Sequence, residues 1–209
     1  LGELIRADHT KLDEYVNMYA DTCKKVHAIH TSDPEIPSFK EANRADIANV
    51  MGITEEERQY LYRFLDLVPE ADTCIHGDLN INNIMVQGDE CCLIDMGELS
   101  TGMPIFDISR ILFSMVYANP APGEYNAFYK MQSSEVSEIY EKFFRDYFGC
   151  DTIEEAQMAN PEVKWLHPLA WFRCCTSMLK GNRWGEEMRK MALGLLREKL
   201  IPFVDKEKT

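Results

Sequence analysis

The chain lacks any stretch able to cross a bilayer. Its longest uncharged apolar run, Ile111 to Ala118, is interrupted by Ser114 and falls far short of the roughly 20 residues a membrane helix needs. No transmembrane or signal segment, and so no membrane partner, is expected. Positive charge is scarce: 22 Lys and Arg stand against 35 Asp and Glu, a net charge of −13. A phosphate-tracking surface would have to be assembled against that field, so no nucleic-acid partner is expected. No C-x-x-C occurs, and the seven cysteines are an odd number that includes the vicinal pairs Cys91-Cys92 and Cys174-Cys175 inside apolar runs. That usage predicts reduced, mostly buried thiols in a cytoplasmic protein. No two glycines are separated by a single residue, which rules out a G-x-G-x-x-G loop. Gly97 and Gly102 have Walker spacing, but Met103 stands where a lysine is required. An initiating Met is missing as well, since the chain begins at Leu1, which suggests a processed product or a piece of a longer polypeptide.

What is present reads as a mainly helical domain with one small β region. Leu12, Tyr15, Val16, Tyr19, Cys23 and Val26 recur at helical spacing, predicting one helix over most of Thr10 to His30. His27-x-x-His30 lies on this helix, and its spacing fits one histidine at the edge of the apolar face and one outside it better than a zinc pair. Ser38 with Glu41 and Thr54 with Glu57 form capping-box patterns that open helices toward Val50 and Val68, the second stopped by Pro69. Glu55-Glu56-Glu57 favours the positive end of that helix and needs no ligand to explain it. Short β-favouring runs occur at Thr73-Cys74-Ile75, Ile84-Met85-Val86 and Cys91-Cys92-Leu93-Ile94. Further helices are expected near 107–118, 134–148, 152–159, 162–180 and 184–200, with Pro168 a candidate bend or break in the fourth.

Chemistry concentrates between Ile75 and Phe106. The segment reads His76-Gly77-Asp78-Leu79-Asn80-Ile81-Asn82-Asn83, then an apolar run, Gly88-Asp89, a second apolar run and Asp95-Met96-Gly97. With Gly88-Asp89 centring a hairpin turn, paired positions are expected to sum to about 178, setting Ile84 opposite Ile94 and Asn83 opposite Asp95. Opposed Cβ atoms lie about 4.5 to 5.5 Å apart, close enough for an amide oxygen and a carboxylate to share a small cation. A few oxygen ligands completed by water and phosphate oxygens suit Mg²⁺ and not Zn²⁺. Asp78, five residues before Asn83, is placed to orient a hydroxyl and take its proton as it attacks phosphorus.

These residues resemble the catalytic and metal-binding loops of the aminoglycoside phosphotransferase and choline kinase-like family, small-molecule kinases of protein-kinase-like fold. The run from His76 to Asn83 is similar to the family's H-G-D-x-x-x-x-N loop, Ile94-Asp95-Met96-Gly97 to its D-F-G element, and Gly102-Met103-Pro104-Ile105-Phe106-Asp107 to its G-x-P-x-x-D segment. The resemblance implies Asp78 as catalytic base and Asn83 and Asp95 as Mg²⁺ ligands. It implies Asp107 as a buried carboxylate accepting backbone hydrogen bonds from the catalytic loop, and His76 as its structural brace. It implies ATP as co-substrate and a small-molecule hydroxyl acceptor.

The expected fold class is α+β, mainly α. Residues 1–209 would form the C-terminal, catalytic lobe of a protein-kinase-like fold, with a β-hairpin carrying the catalytic and metal loops. The N-terminal nucleotide lobe, with its glycine loop and strand lysine, would lie outside this chain. Two other readings are a non-catalytic kinase-like binding module, disfavoured because Asp78, Asn83 and Asp95 are all in place, and one subunit of a split kinase. The residues that bind the acceptor are not identified by sequence. An acidic balance suits a cationic acceptor, with Glu98, Glu124, Asp151, Glu154 and Glu155 as contributors, although such residues more often solvate helix ends. Trp165, Trp171 and Phe172 fit core positions better than an ammonium cage.

Overall fold

In the computed structural model, residues 1–88, 90–181 and 183–207 are described. The elements run α1 (Gly2–Ala7), α2 (Leu12–His27), α3 (Phe39–Ala48), α4 (Glu55–Leu67), β1 (Cys74–Ile75), β2 (Ile84–Gln87), β3 (Glu90–Leu93), β4 (Ser100–Thr101) and α5 (Ile105–Leu112). They continue with β5 (Tyr125–Asn126), β6 (Met131–Gln132), α6 (Ser133–Phe148), α7 (Ile153–Ala159), α8 (Leu166–Met178), α9 (Glu186–Leu195) and α10 (Ile201–Glu207). The expected class is realised: a mainly helical fold with small antiparallel pairs, β1 with β4, β2 with β3 and β5 with β6. The last pair corrects the expectation of a single β region. Its strands are two residues each, too short to leave an alternating pattern.

α2 has no side-chain hydrogen bond at its N-terminus, so packing must hold it. Tyr19 and Phe143 of α6 are fully buried, with ring centroids 4.6 Å apart. Each such burial stabilises by roughly 1.5–3 kcal/mol, more than the ~1 kcal/mol a cap supplies. α3 and α4 start as the sequence predicts: both capping boxes close, Ser38 with Glu41 and Thr54 with Glu57. The helix expected over 162–180 is divided just before Pro168, into a 3₁₀ turn at Pro161–Trp165 and α8, and Pro168 falls in the first turn of α8, where its missing N–H has no helical partner to lose.

α5 is buried on every side, and all its residues except Arg110 are below the surface. A helix surrounded by protein that still carries Asp107 and Arg110 must satisfy both from within. That requirement places them against the loop after β1.

The hairpin register differs from expectation. Ile84 pairs with Leu93, Met85 with Cys92, Val86 with Cys91 and Gln87 with Glu90, so pairs sum to 177 and not 178. A two-residue connection at Gly88-Asp89 gives that sum; Asp89 itself lies outside the described residues. Ile94, whose N–H donates to the Asn83 carbonyl at 3.0 Å, therefore sits across from Asn83. Asp95 is one step further on. The same alternation buries Ile84 and leaves Met85, Cys92 and Ile94 exposed on the other face.

Candidate active site

The loop after β1 is fixed from below by one carboxylate. Asp107, fully buried, accepts the His76 N–H at 2.9 Å and the Gly77 N–H at 2.8 Å. Its Oδ2 also meets His27 Nε2 at 3.0 Å, and His27 Nδ1 lies 2.7 Å from the Tyr147 hydroxyl. A carboxylate only accepts, so His27 carries its proton on Nε2 and accepts from Tyr147. Burial raises the Tyr147 pKa, which keeps that hydroxyl a donor. Gly77 adopts φ +83°, and a Cβ there would lie 2.5 Å from the Glu98 carbonyl oxygen. Only glycine meets both conditions.

His76, also buried, ties this loop to the hairpin. Its Nε2 is 3.0 Å from the Ile94 carbonyl, and its Nδ1 accepts from the Asp78 N–H at 3.3 Å. The base candidate and the strand end leading to Asp95 thus hang on one imidazole.

Asp78 is gripped on both oxygens. Arg110 Nε donates to Oδ1 at 3.1 Å, and Asn83 Nδ2 donates to Oδ2 at 3.2 Å and to the Asp78 carbonyl at 2.9 Å. The Asn83 amide cannot be reversed, because both its neighbours are acceptors. Among the described residues its Oδ1 has no hydrogen-bond partner. Asp95, exposed and in the left-handed region at φ 63°, makes no hydrogen bond or ion pair among the described residues. Asp95 is therefore not directly opposite Asn83, as the expected register had it, but one residue beyond the Asn83–Ile94 pair. Among the described residues no group of three or more His, Cys, Asp or Glu side chains is gathered for a metal. One free amide oxygen and one free carboxylate fit a hard cation that keeps water and phosphate oxygens in its shell.

A cleft of about 420 Å³ opens beside Gly77 and Arg110, between α3, α8 and the turn before β4. Six charges line or approach it in alternating order: Lys180, Asp46, Arg173, Glu98, Arg110 and Asp78. Lys180 pairs with Asp46, Asp46 with Arg173 at 3.8 Å, Arg173 with Glu98 at 3.3 Å, and Glu98 with Arg110 at 3.9 Å. Close packing pushes the Glu98 carboxyl pKa up; Arg110 works the other way, while Asp78, Asp46 and Asp95 add to the rise.

Of the residues considered for the acceptor, only Glu98 and Phe172 line this cleft. Asp151 pairs with Arg145, and Glu155 caps α7. Trp165 is buried, and the Trp171 indole N–H donates to the Tyr117 hydroxyl at 2.7 Å. Arg110 and Arg173 were not singled out by sequence, and His27 was read only as a histidine at the edge of an apolar face, with no site role. His27 continues the buried Tyr15, Tyr19, Cys23 stripe at i+4, and a polar side chain on such a stripe needs a buried partner. Arg110 and Arg173 are single cations inside apolar helical runs, which is the same signal.

All seven cysteines are free; Cys23, Cys74, Cys174 and Cys175 are buried and Cys92 is exposed. No helix among the described residues is long and apolar enough to cross a membrane.

No curated protein matches the chain. Among solved structures, an amicoumacin kinase, hAmiN, in complex with AMP-PNP, Ca²⁺ and Ami, shares the fold at a TM-score of 0.52 and 15% identity. The match covers 92% of this chain and 59% of that one, so this chain spans well under two thirds of its structural relative. The model of the phosphotransferase enzyme family matches residues 2–143, a span that holds His76, Asp78, Asn83, Asp95 and Asp107, and the chain belongs to that family.

Proposed function

We propose that this chain is the C-terminal, catalytic lobe of a phosphotransferase that moves the γ-phosphate of ATP to the hydroxyl of a small molecule. The observation that carries this reading is the arrangement around Asp78: a carboxylate oriented by Arg110 and Asn83, beside a cleft that Gly77 and Arg110 line. Asp78 accepts the hydrogen bond of the acceptor O–H and takes its proton. The acceptor oxygen forms the new bond to the γ-phosphorus, the bond from that phosphorus to the bridging oxygen breaks, and ADP leaves with the electron pair. Asn83 and Asp95 would hold Mg²⁺, which when bound neutralises charge on the phosphates. Arg110 keeps Asp78 in register between the cleft and the hairpin. Asp107, through the His76 and Gly77 amides, holds the loop's backbone, and His76 braces it against Ile94.

The exposed hairpin face bearing Met85, 56% exposed, and Ile94, 43% exposed, lies on the same side as Asn83. It supplies an apolar seat for a nucleotide base and for a nucleotide lobe supplied by the same polypeptide or a separate subunit. The amicoumacin kinase, solved with a nucleotide analogue and a divalent cation, is consistent with both ligands. The test is ATP-dependent transfer by the complete protein with Asp78→Asn, a variant of the same shape. Loss of turnover of about a hundredfold or more is expected for a general base. Turnover within tenfold of the unmodified protein removes Asp78 from the role.

A further inference from the structure

The cleft beside Asp78 has a charge pattern that the chain's overall balance conceals. The chain carries −13, yet the cleft is lined by three cations, Arg110, Arg173 and Lys180, and two carboxylates, Asp46 and Glu98. Both carboxylates are already engaged. Asp46 faces Lys180 and Arg173, and Glu98 faces Arg173 and Arg110. An ammonium entering here finds no unpaired anion. Guanidinium donors, by contrast, are in surplus: among the described residues, Arg173 Nε and Arg110 Nη1 are buried without a hydrogen-bond partner. A buried charged donor left unpaired is costly, and the planar guanidinium fork is matched by a carboxylate.

We propose that this cleft takes hydroxyl acceptors that carry a carboxylate, and that Arg173 together with Arg110 reads it. The inference rests on the phosphotransferase reading and narrows its acceptor. Glu98 is the place-holder for the incoming group. It is 52% exposed, and its contacts to Arg173 are long at 3.3 and 3.4 Å. A ligand carboxylate that displaces it engages both arginines. Arg110 also touches Asp78, so a hydroxyl on a neighbouring carbon of the ligand comes within reach of the base. Phe39 and Phe172 on the cleft wall cover the carbon skeleton.

Glu98→Gln separates this reading from a cationic acceptor by sign. Calorimetric titration of the 209-residue chain, without nucleotide, uses glycerate and gluconate as hydroxy-acid probes, choline and ethanolamine as amino-alcohol probes, and glycerol as the neutral control. At least one hydroxy acid is expected to bind in preference to the others. Glu98→Gln, at a half-exposed position that tolerates an isosteric amide, tightens that binding several-fold because the competitor is gone. Arg173→Gln weakens it about tenfold, the scale of one charge-assisted contact. Preference for an amino alcohol, weakened by Glu98→Gln, overturns the proposal; so does the absence of any hydroxy-acid binding. Transfer to the same probes, with Asp78→Asn as control, reads the parent assignment separately. Amino alcohols phosphorylated in an Asp78-dependent way overturn the carboxylate site alone. Hydroxy acids bound through Arg173 but never phosphorylated overturn the phosphotransferase assignment and leave the site.

Discussion

Replacing Asp107 by Asn tests the claim that one buried carboxylate organises the catalytic loop. The substitution conserves shape, so its effect is one of hydrogen bonding and charge. Asp107 accepts three bonds, two at Oδ2 from His76 N–H and His27 and one at Oδ1 from Gly77 N–H. An Asn side chain keeps only one acceptor oxygen. Its amide nitrogen best replaces the oxygen with one partner, which sets N–H against the Gly77 N–H and leaves that donor orphaned. The surviving bonds lose their charge assistance. Bonds to charged groups are worth about 1.5–3 kcal/mol and an orphaned buried donor costs about 1–3 kcal/mol, so a net loss of about 2–4 kcal/mol is expected. In a chain of this size each kcal/mol lowers Tm by roughly 2–4 °C, giving a drop of roughly 5 to 15 °C by calorimetry or circular dichroism. Asp107→Asn melting within about 2 °C of the unmodified chain would refute the reasoning, because three bonds to a buried charge cannot be rearranged so cheaply.

Two other outcomes follow from buried groups. Burial lowers the His167 pKa, and its neutral ring accepts from the Tyr117 hydroxyl at 3.1 Å; the unfolded chain then binds the proton more readily, so this histidine's contribution is intact above its unfolded pKa near 6.5 and is lost as pH falls below it. His167→Gln should flatten the fall of Tm between pH 7.5 and 5.5, and equal slopes for the two proteins would remove His167 as a cause. Thiol labelling should modify Cys92 first, while Cys175, whose pKa burial pushes up to about 12, reacts only on unfolding. A nucleotide seated beside Met85 should slow the Cys92 reaction in the complete protein, and an unchanged rate would place the base elsewhere.

Helix placement was legible in the sequence wherever a local signal settles it. The two capping boxes and the Tyr19 stripe each need only neighbouring residues to be understood, and each appears where expected. The hairpin was legible but its register was off by one: a two-residue turn after Gln87 makes pairs sum to 177 and not 178, and one residue in that count moves every pair, Asn83 with Asp95 included. β5 and β6 are too short for periodicity to register. The site residues close in sequence, from His76 to Asn83, could be gathered by motif. Those contributed by distant helices, His27, Arg110 and Arg173, could not: a polar side chain in an apolar helical run signals a buried partner, but that partner lies on another element and the run does not name it. Asp151 and Glu155 at the α6–α7 end and the tryptophans Trp165 and Trp171 fall to ion pairs, caps and packing, as the weightier of the two sequence readings had them.

The anchoring of the loop by Asp107 has a consequence for how the molecule breathes. The His76 and Gly77 amides belong to no helix or strand; their acceptor is a side chain about 30 residues away, itself held by a histidine of α2 and, through it, a tyrosine of α6. Ordinary loop amides exchange with solvent through local fraying. These two are bonded to a carboxylate that α5 buries and that α2 and α6 hold from behind. Hydrogen exchange at the His76 and Gly77 amides is expected to be slower than at loop amides that face solvent, because it requires loss of a bond to a buried carboxylate.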